Sequence, residues 1–535
     1  MAQQDVFVRK ASGLVRAWSP IDAMIYNWIA GIGLWSSTLV WLFYYGPFLY
    51  PGSDLGLAFV FCALAIIPTF LVYAMLASSM PRTGGDYIWN SRIIHPALAF
   101  GLTFTVVIWS LNWMYWDAYG IAALAFGPLA TLSGNAPLGI WLASPEGVMA
   151  LGLVFTIATA ALTLLGMGFY AKFQRVAFVL AIASFLVFLG IVGLATRPEF
   201  MQVFNSFYQP VTNDPDTYGT VLKTAAEGGF VGDVPFSLYA TVGVVPMAIG
   251  SLLWGIQGTV NIGEIKRADS LKQTVFQTVG AGVLGSLAWA VMAAAIVSTM
   301  GQNFLGSMSY QFWNWTPIAE SMGTEPFFTQ LGALLNTNPL VRAILFIGAG
   351  FSLFMYYPGM FIVTSRWLFG MSFDRLLPQK IAAVDKRFHA PYLAILVIAI
   401  VSIAWTYLYA FTPLGDYTAA IALVSVVMVM MVCVSGILFP YVKKVRGIYS
   451  TSPAAKYKIG GLPAIVIAGV LGLIANLVLI YYLAVIPEFG AWTPGSLEAI
   501  VGTFVFGLIL YYINRAYQKS RGIEIDLAFR EIPPA

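Results

Sequence analysis

Windows of about twenty apolar residues recur along this chain from Ile21 to Tyr517, and that recurrence constrains the fold before any other feature does. A helix rises ~1.5 Å per residue, so about twenty residues cross the ~30 Å hydrocarbon core of a bilayer. In lipid only helices and closed barrels satisfy every backbone polar group. Bounded by charge, Gly or Pro, the windows fall near 21–46, 55–79, 97–127, 147–167, 171–195, 238–263, 272–299, 340–371, 391–411, 416–441, 461–486 and 493–517. Numbered as segments 1 to 12 in that order, they predict an all-α integral membrane protein with about 12 transmembrane helices. Only 9% of the 535 residues are charged, against about 25% in soluble proteins, which is too few to cover a water-facing surface of that size. The first window is longer than a signal-peptide core and a second follows at once, so the N-terminus is expected to be retained.

Polar chemistry is sparse. Cys62 and Cys433 lie within apolar windows and read as core residues, and His95 and His389 stand near prolines in connections. That leaves no ligand set for a metal or haem, and no cofactor is expected. The net charge of +4 is spread along the chain and marks sidedness, with no basic face for a nucleic acid. With the N-terminus in the cytoplasm, all but Arg197, Lys223 and Arg342 of the 27 Lys and Arg fall on the inner side. Basic residues resist translocation, so a multi-pass cell-membrane protein with both termini cytoplasmic is expected. Residues 1–20 and 518–535 would be cytoplasmic tails around a transmembrane domain, 21–517. The outer connections 196–237 and 300–339 carry Asp214, Asp216, Glu227, Asp233, Glu320 and Glu325. They are either caps over an outer vestibule or solvated loops.

Two segments carry helix-breaking residues at corresponding places. Segment 1 contains NWIAGIGLW with Gly31 and Gly33, and segment 6 contains GVVPMAIGSLLWGIQGTVNIGE with Pro246, Gly250, Gly255 and Gly258. They open two five-helix halves, 21–195 and 238–441, which 461–517 follows. Glycine lets the backbone leave helical geometry; N–H groups at a half-helix start suit a carboxylate, and C=O groups at a half-helix end suit an ammonium. In either segment alone, close helix packing explains the glycines. Their occurrence in matched segments of two halves points to a substrate site at the bilayer midplane. Trp254, beside the second break, is placed to wall such a pocket as an amphipathic aromatic gate.

An ionisable group at membrane depth is costly and marks function. Asp117 in LNWMYWDAYG lies ~30 Å along its helix from Pro96, near the outer face of an upright helix, or about a turn above the middle of a tilted one. In the second position it would take up a proton or pair with a cationic substrate. Glu264, Asp269, Arg366 and Asp374 stand at the inner ends of segments 6 and 8. They would hold a cytoplasmic gate by ion pairs, or only snorkel to water. Hydroxyls at Thr364 and Ser365 would help hold a cation or satisfy backbone carbonyls.

Read in order, four stretches resemble the amino acid-polyamine-organocation (APC) superfamily of permeases over most of the chain. PRTGGDYIWNSRIIHPALAFG at 81–101 is similar to the Pro-x-x-Gly-Gly-x-Tyr stretch after the second helix, and GIGLW at 31–35 to the Gly-x-Gly break of the first. WGIQG at 254–258 with GEIKRADSLKQTVF at 263–276 resembles the sixth helix and its exit. TSRWLFGMSFDRLLPQKIAAVDKRFHAPYLAIL at 364–396 resembles the run after the eighth. The resemblance implies a five-plus-five inverted-repeat transporter fold with two additional C-terminal helices, and secondary transport of an amino acid by alternating access. By position, the backbone at Ala30, Gly31, Ile32 and Gly33 would meet the substrate carboxylate, and that from Trp254 through Gly255 and Ile256 to Gly258 its amino group. Trp109 and Ser110 are weaker wall candidates. Departures are Val260 where many members carry Glu, Arg267-Ala268 in place of Asn-Pro, and Ala181 where some proton-coupled members carry Lys.

Too few acids face the expected pocket for a polyamine, so a neutral or mildly cationic amino acid fits better. Amines, nucleobases or organic ions remain alternatives on the same scaffold. An enzyme is disfavoured because no Ser/His/Asp set or acid pair recurs, and a channel because one long chain with paired breaks suits an occluding carrier. H+, Na+ or an exchanged solute stay open as the driver.

Overall fold

The computed structural model describes residues 13–36, 39, 41–414, 419–486 and 491–529, so residues 1–12 and 530–535 of the two expected tails lie outside them. Among the described residues helix dominates. The strands are one antiparallel pair, Lys458–Ile459 with Leu462–Pro463, turned through Gly460 and Gly461 at positive φ between segments 10 and 11.

Among the described residues ten helices are long and apolar enough to cross a membrane: Leu55–Ser79, Pro96–Leu132, Pro145–Leu164, Met167–Leu194, Leu238–Thr259, Leu271–Met300, Pro339–Phe373, Tyr392–Phe411, Ala464–Val485 and Pro494–Ser520. They are segments 2 to 9, 11 and 12. Segment 10 is the helix Ala419–Leu438. Segment 1 is not one helix: Pro20–Tyr26 continues as a wide turn over Asn27–Ile32, stops, and resumes at Trp41–Tyr45 and Gly46–Leu49.

The starts of these helices are written in the chain. Pro occupies the first helical position after an N-capping side chain at Ser19-Pro20, His95-Pro96, Ser144-Pro145, Asn338-Pro339 and Thr493-Pro494. The cap accepts a first-turn N–H and proline lacks the donor that would go unused there. Segment 5 begins earlier than expected, at Met167, because Gly166 at φ 83 makes the turn out of segment 4. Large apolar side chains such as Leu64, Val154, Val179, Leu186, Ile400 and Ile513 point outward, as they do where lipid is the solvent.

The connections 196–237 and 300–339 are built rather than loose. They fold into helices Arg197–Thr212, Thr217–Glu227, Gln302–Trp313, Pro317–Met322 and Phe328–Leu334. Tyr218 stacks on Phe304 at 4.4 Å between ring centroids, with Phe200 and Phe204 meeting them edge-on. Phe328 lies on Trp35 at 6.0 Å and against Phe43 at 5.0 Å. The pair of connections therefore covers one end of the bundle. The other end, which carries Arg92, Arg175 and Arg366, is called here the basic end.

Candidate substrate site at two helix breaks

Segment 1 stops at Gly33, whose φ of 82° and ψ of 140° lie outside helical geometry. Its N–H donates back to the Trp28 carbonyl at 2.5 Å, closing the wide turn. A side chain here is excluded twice over, by the positive φ and because the Tyr356 hydroxyl occupies the place a Cβ would take. A helix end leaves carbonyls without partners, and here side chains take them. The Tyr356 hydroxyl donates to the Ile32 carbonyl, and Trp289 Nε1 to the Gly33 carbonyl at 3.0 Å. The last carbonyls of this half-helix are thus held by side chains rather than bare. Residues 37, 38 and 40, which follow, lie outside the described residues.

Segment 6 is α-helical over Leu238–Leu252, then tightens to three residues per turn over Leu253–Thr259. It is wound differently rather than unwound at Trp254, Gly255, Ile256 and Gly258. The two irregular stretches pack on each other. A Cβ on Gly31 would stand 2.5 Å from the Trp254 carbonyl oxygen, and one on Gly255 would stand 2.8 Å from Ile32 Cδ1. Asn27 ties them together: its Oδ1 accepts from the Gly258 N–H at 2.6 Å, and its Nδ2 donates to the Gln277 carbonyl of segment 7, also at 2.6 Å. Segment 8 closes on the same place, the Gly359 carbonyl accepting from Tyr26 Oη at 2.8 Å, with no room for a Cβ on Gly359 against Ala30. Ala30, Gly31, Ile32, Gly33, Gly255, Ile256 and Gly258 are buried and Trp254 is half-buried.

Asn27 and Gln257 are the site residues that sequence reading missed. Both amide atoms of Gln257 are buried without hydrogen-bond partners among the described residues, and the Asn261 amide lies beside the Tyr26 hydroxyl. Buried polar groups are ordinarily paired, so the Gln257 amide at the second break stands out as a recognition group. The available signal was three side-chain amides in segments otherwise almost free of polar groups.

The wall candidates of segment 3 separate. Its helix is interrupted at Leu111 and Asn112, between Pro96–Ser110 and Trp113–Ile121. Trp109 turns away from the breaks: its indole donates to Thr503 Oγ1 at 3.0 Å and packs on Trp405 at 5.5 Å, in segments 12 and 9. Ser110 returns its hydroxyl to the Val107 carbonyl at 3.3 Å. The Trp109 ring is thus engaged by segments 9 and 12, and the Ser110 hydroxyl by its own turn. Asp117 is 3% exposed, its Oδ2 has no hydrogen-bond partner, and it interacts electrostatically with Tyr356 and Tyr357. It therefore faces the bundle, on the side of the first break.

The four residues expected at a gate fall into two buried pairs and one outsider. Arg366 meets Glu264 with two parallel hydrogen bonds of 2.8 and 2.9 Å. Asp374 pairs with Arg92 at 2.6 and 2.8 Å and accepts from Tyr87 Oη at 2.9 Å. Asp269 is exposed and joins neither pair. A third pair, Asp22 with Arg175 at 2.7 and 2.9 Å, braces segments 1 and 5. The chain before segment 1 is stitched beneath: Trp18 N donates to the Glu264 carbonyl at 3.2 Å, Lys266 N to the Trp18 carbonyl at 2.8 Å, and the Trp18 indole to Met167 at 2.8 Å. The basic end is thereby closed in this structure. Beside it, burial pushes the Asp86 carboxyl up to about 7 despite its hydrogen bonds from Trp367 and the Tyr87 N–H. Ser365 shares its hydroxyl between the Ile362 carbonyl and Arg366, while the Thr364 hydroxyl has no partner. Among the described residues no three His, Cys, Asp or Glu side chains gather as a metal site would require.

The family model described as amino acid permease matches residues 21–506. The chain is 24% identical to an uncharacterized transporter, R00093, of Rhizobium meliloti (strain 1021) over 326 residues, 61% of this chain and 59% of that protein. It is also 24% identical to the branched-chain amino acid permease BcaP of Lactococcus lactis subsp. cremoris (strain MG1363) over 494 residues, covering 87% of this chain and 88% of that one.

Proposed function

Since this chain belongs to the amino acid permease family, a part of the APC superfamily and not an enzyme family, we propose that it carries an amino acid across the cell membrane by alternating access. In this reading the basic end faces the cytoplasm, following the distribution of Lys and Arg. The chain is then a five-plus-five inverted repeat, 21–195 and 238–441, with two helices appended. The substrate lies where the irregular stretches of segments 1 and 6 meet, its charged groups attracted by the helix-end dipoles there, with the segment 1 carbonyls released by Tyr356 and Trp289 when it binds.

The observation that carries the reading is the contact itself. Two irregular stretches, 225 or so residues apart in the chain, touch through glycines that admit no Cβ and are tied by one asparagine. Backbone so displaced from helical geometry at membrane depth is tolerated where it lines a cavity or is held in protein. The Glu264–Arg366 and Arg92–Asp374 pairs act as the cytoplasmic gate, since a buried pair keeps its charges covered only while both partners remain together. Asp117 serves as the proton-binding group of coupling, lying toward the first break with no Lys, Arg or His among the described residues paired to it. The relative named as a branched-chain amino acid permease favours an amino acid over an amine or nucleobase as cargo.

The test is counterflow. Liposomes containing the purified protein and loaded with a mixture of unlabelled amino acids are expected to accumulate at least one labelled amino acid above its equilibrium level. Failure with all twenty, with accumulation of an amine or nucleobase instead, would overturn the assignment of cargo.

A further inference from the structure

The chain turns back on itself where segment 12 ends. Gly522, at φ 75, donates its N–H to the Lys519 carbonyl, and the Ile523 N–H goes to the Gln518 carbonyl, both at 3.0 Å. This paired closure through a glycine at positive φ stops a helix and redirects the chain. A Cβ at 522 would meet no neighbouring atom, so glycine is needed there for the turn alone. The returning residues form a single tight turn, Ile525–Phe529. Ile525, Ala528 and Phe529 are buried in it, while Glu524 and Leu527 are exposed.

What this turn covers is the Arg92–Asp374 pair. Phe529 lays its ring on the guanidinium, with Arg92 Cζ 5.1 Å from the ring centroid, and the Ala528 carbonyl accepts from Arg92 Nη2 at 3.4 Å. On the other side of the pair, Gln518 Nε2 donates to the carbonyl of Arg375, the residue after Asp374, at 3.3 Å. One stretch of chain, 518–529, thus touches the cation of the pair and the backbone beside its anion. Its own fastening to segment 12 is light. Arg515 pairs with Asp526, and both side chains are about half exposed, a kind of ion pair that contributes little.

We propose that residues 518–529 form a strap across the cytoplasmic gate, one that holds the Arg92–Asp374 pair together and lifts from Arg92 when the basic end opens. The inference rests on the gate reading above and deepens it. An aromatic face and a carbonyl hold the guanidinium in the closed arrangement in addition to its carboxylate. Those contacts last only while Arg92 and the end of segment 8 stay side by side, so they bias the equilibrium toward closure. With the strap in place, parting the pair leaves a guanidinium covered by an apolar ring, which is costly. With the strap lifted, water reaches the guanidinium and parting is easier. The strap therefore sets how often the gate opens, from a helix that lies outside both five-helix halves and away from the cargo site.

The experiment reads the gate directly and needs no known cargo. Ser372 is buried two residues before Asp374. In a background lacking Cys62 and Cys433, Ser372→Cys supplies the one thiol for a membrane-impermeant maleimide. Asp374→Asn, which weakens the pair itself, is the reference for an opened gate. Phe529→Ala removes the ring, and Gly522→Val strains the turn that returns the chain. Each is expected to raise the labelling rate of the purified protein about tenfold, and the two together no further than either alone, because both release one strap. Phe529→Tyr keeps an aromatic face and is expected to label at the rate of the unaltered strap, which separates loss of the strap from loss of fold. Labelling raised by Asp374→Asn but unmoved by Phe529→Ala and Gly522→Val overturns the strap, as does a rise in Phe529→Tyr equal to that in Phe529→Ala. Labelling raised by none of these variants overturns the gate reading, and the strap with it.

Discussion

Removing the charge of Glu264 isolates the gate from the rest of the account. Its carboxylate takes both arms of the Arg366 guanidinium at 2.8 and 2.9 Å, and the two side chains are 1% and 2% exposed. Breaking such a pair by changing one partner costs about 3–5 kcal/mol, because the remaining charge stays buried without compensation. Glutamine keeps the shape and one acceptor, so the lower figure applies to Glu264→Gln. Opening the basic end hydrates the stranded guanidinium and relieves that cost, and at about 1.4 kcal/mol per tenfold the closed-to-open ratio falls about 100-fold. Asn261 reports the change: it is fully buried and stands three residues before Glu264. In a background lacking Cys62 and Cys433, a cysteine at 261 is expected to react with a membrane-impermeant maleimide about 100-fold faster once Glu264→Gln is added. Glu264→Gln with Arg366→Met removes the stranded cation and is expected to return the rate to within a few-fold of its starting value. An unchanged labelling rate in Glu264→Gln would refute the reasoning that this pair holds the end shut.

Two further predictions concern single side chains. Burial holds the Asp86 carboxyl up to about 7, well above an ordinary aspartate, so the folded protein binds this proton more tightly than the unfolded chain does. Stability from this group is therefore fullest below about pH 4, falls as pH rises toward 7, and is flat above, by at most about 4 kcal/mol at 1.36 kcal/mol per pH unit. Thermal unfolding of Asp86→Asn across that window should lose this slope, and an identical slope would show that other groups set it. At the second break, Gln257→Leu exchanges an unpartnered amide for an apolar side chain and is expected to shift cargo preference about tenfold toward aliphatic amino acids. Competition of unlabelled glutamine and leucine against counterflow measures the ratio, and an unaltered ratio would remove Gln257 from recognition.

Much of this architecture is legible in the chain because lipid makes strict demands. Runs of apolar residues ended by a capping residue and proline place the starts of segments 3, 4, 8 and 12 within one or two residues of where the helices begin. Breaks were legible as glycines, yet their form was not: that segment 1 widens before Gly33 while segment 6 tightens after Leu252 depends on which neighbours take the freed groups. Tyr356 and Trp289, which hold those carbonyls, lie more than 250 residues from them. The gate acids were visible at the helix ends, but Arg92 was hidden in a short helix after segment 2, and Asp269 looked equivalent to Glu264 until contacts distinguished them. Position along a helix does not give its rotation, so the engagement of Trp109 with Thr503 is not legible in the chain, and the interruption at Leu111 leaves the residues before and after it to be placed separately.

The central claim is that cargo is gripped where the irregular stretches of segments 1 and 6 cross, and the measurement closest to it is counterflow by Gly31→Val and Gly258→Val beside the wild type. A side chain at 31 meets the Trp254 carbonyl at 2.5 Å and one at 258 meets Asn27 Oδ1 at 2.7 Å, both closer than non-bonded atoms tolerate, so the crossing must spread. Each variant is expected to reach the membrane in normal amount, to elute as a single folded species after purification, and to show no counterflow of the amino acid that the wild type exchanges. Counterflow at wild-type rates in both would contradict the claim and put the cargo elsewhere in the bundle.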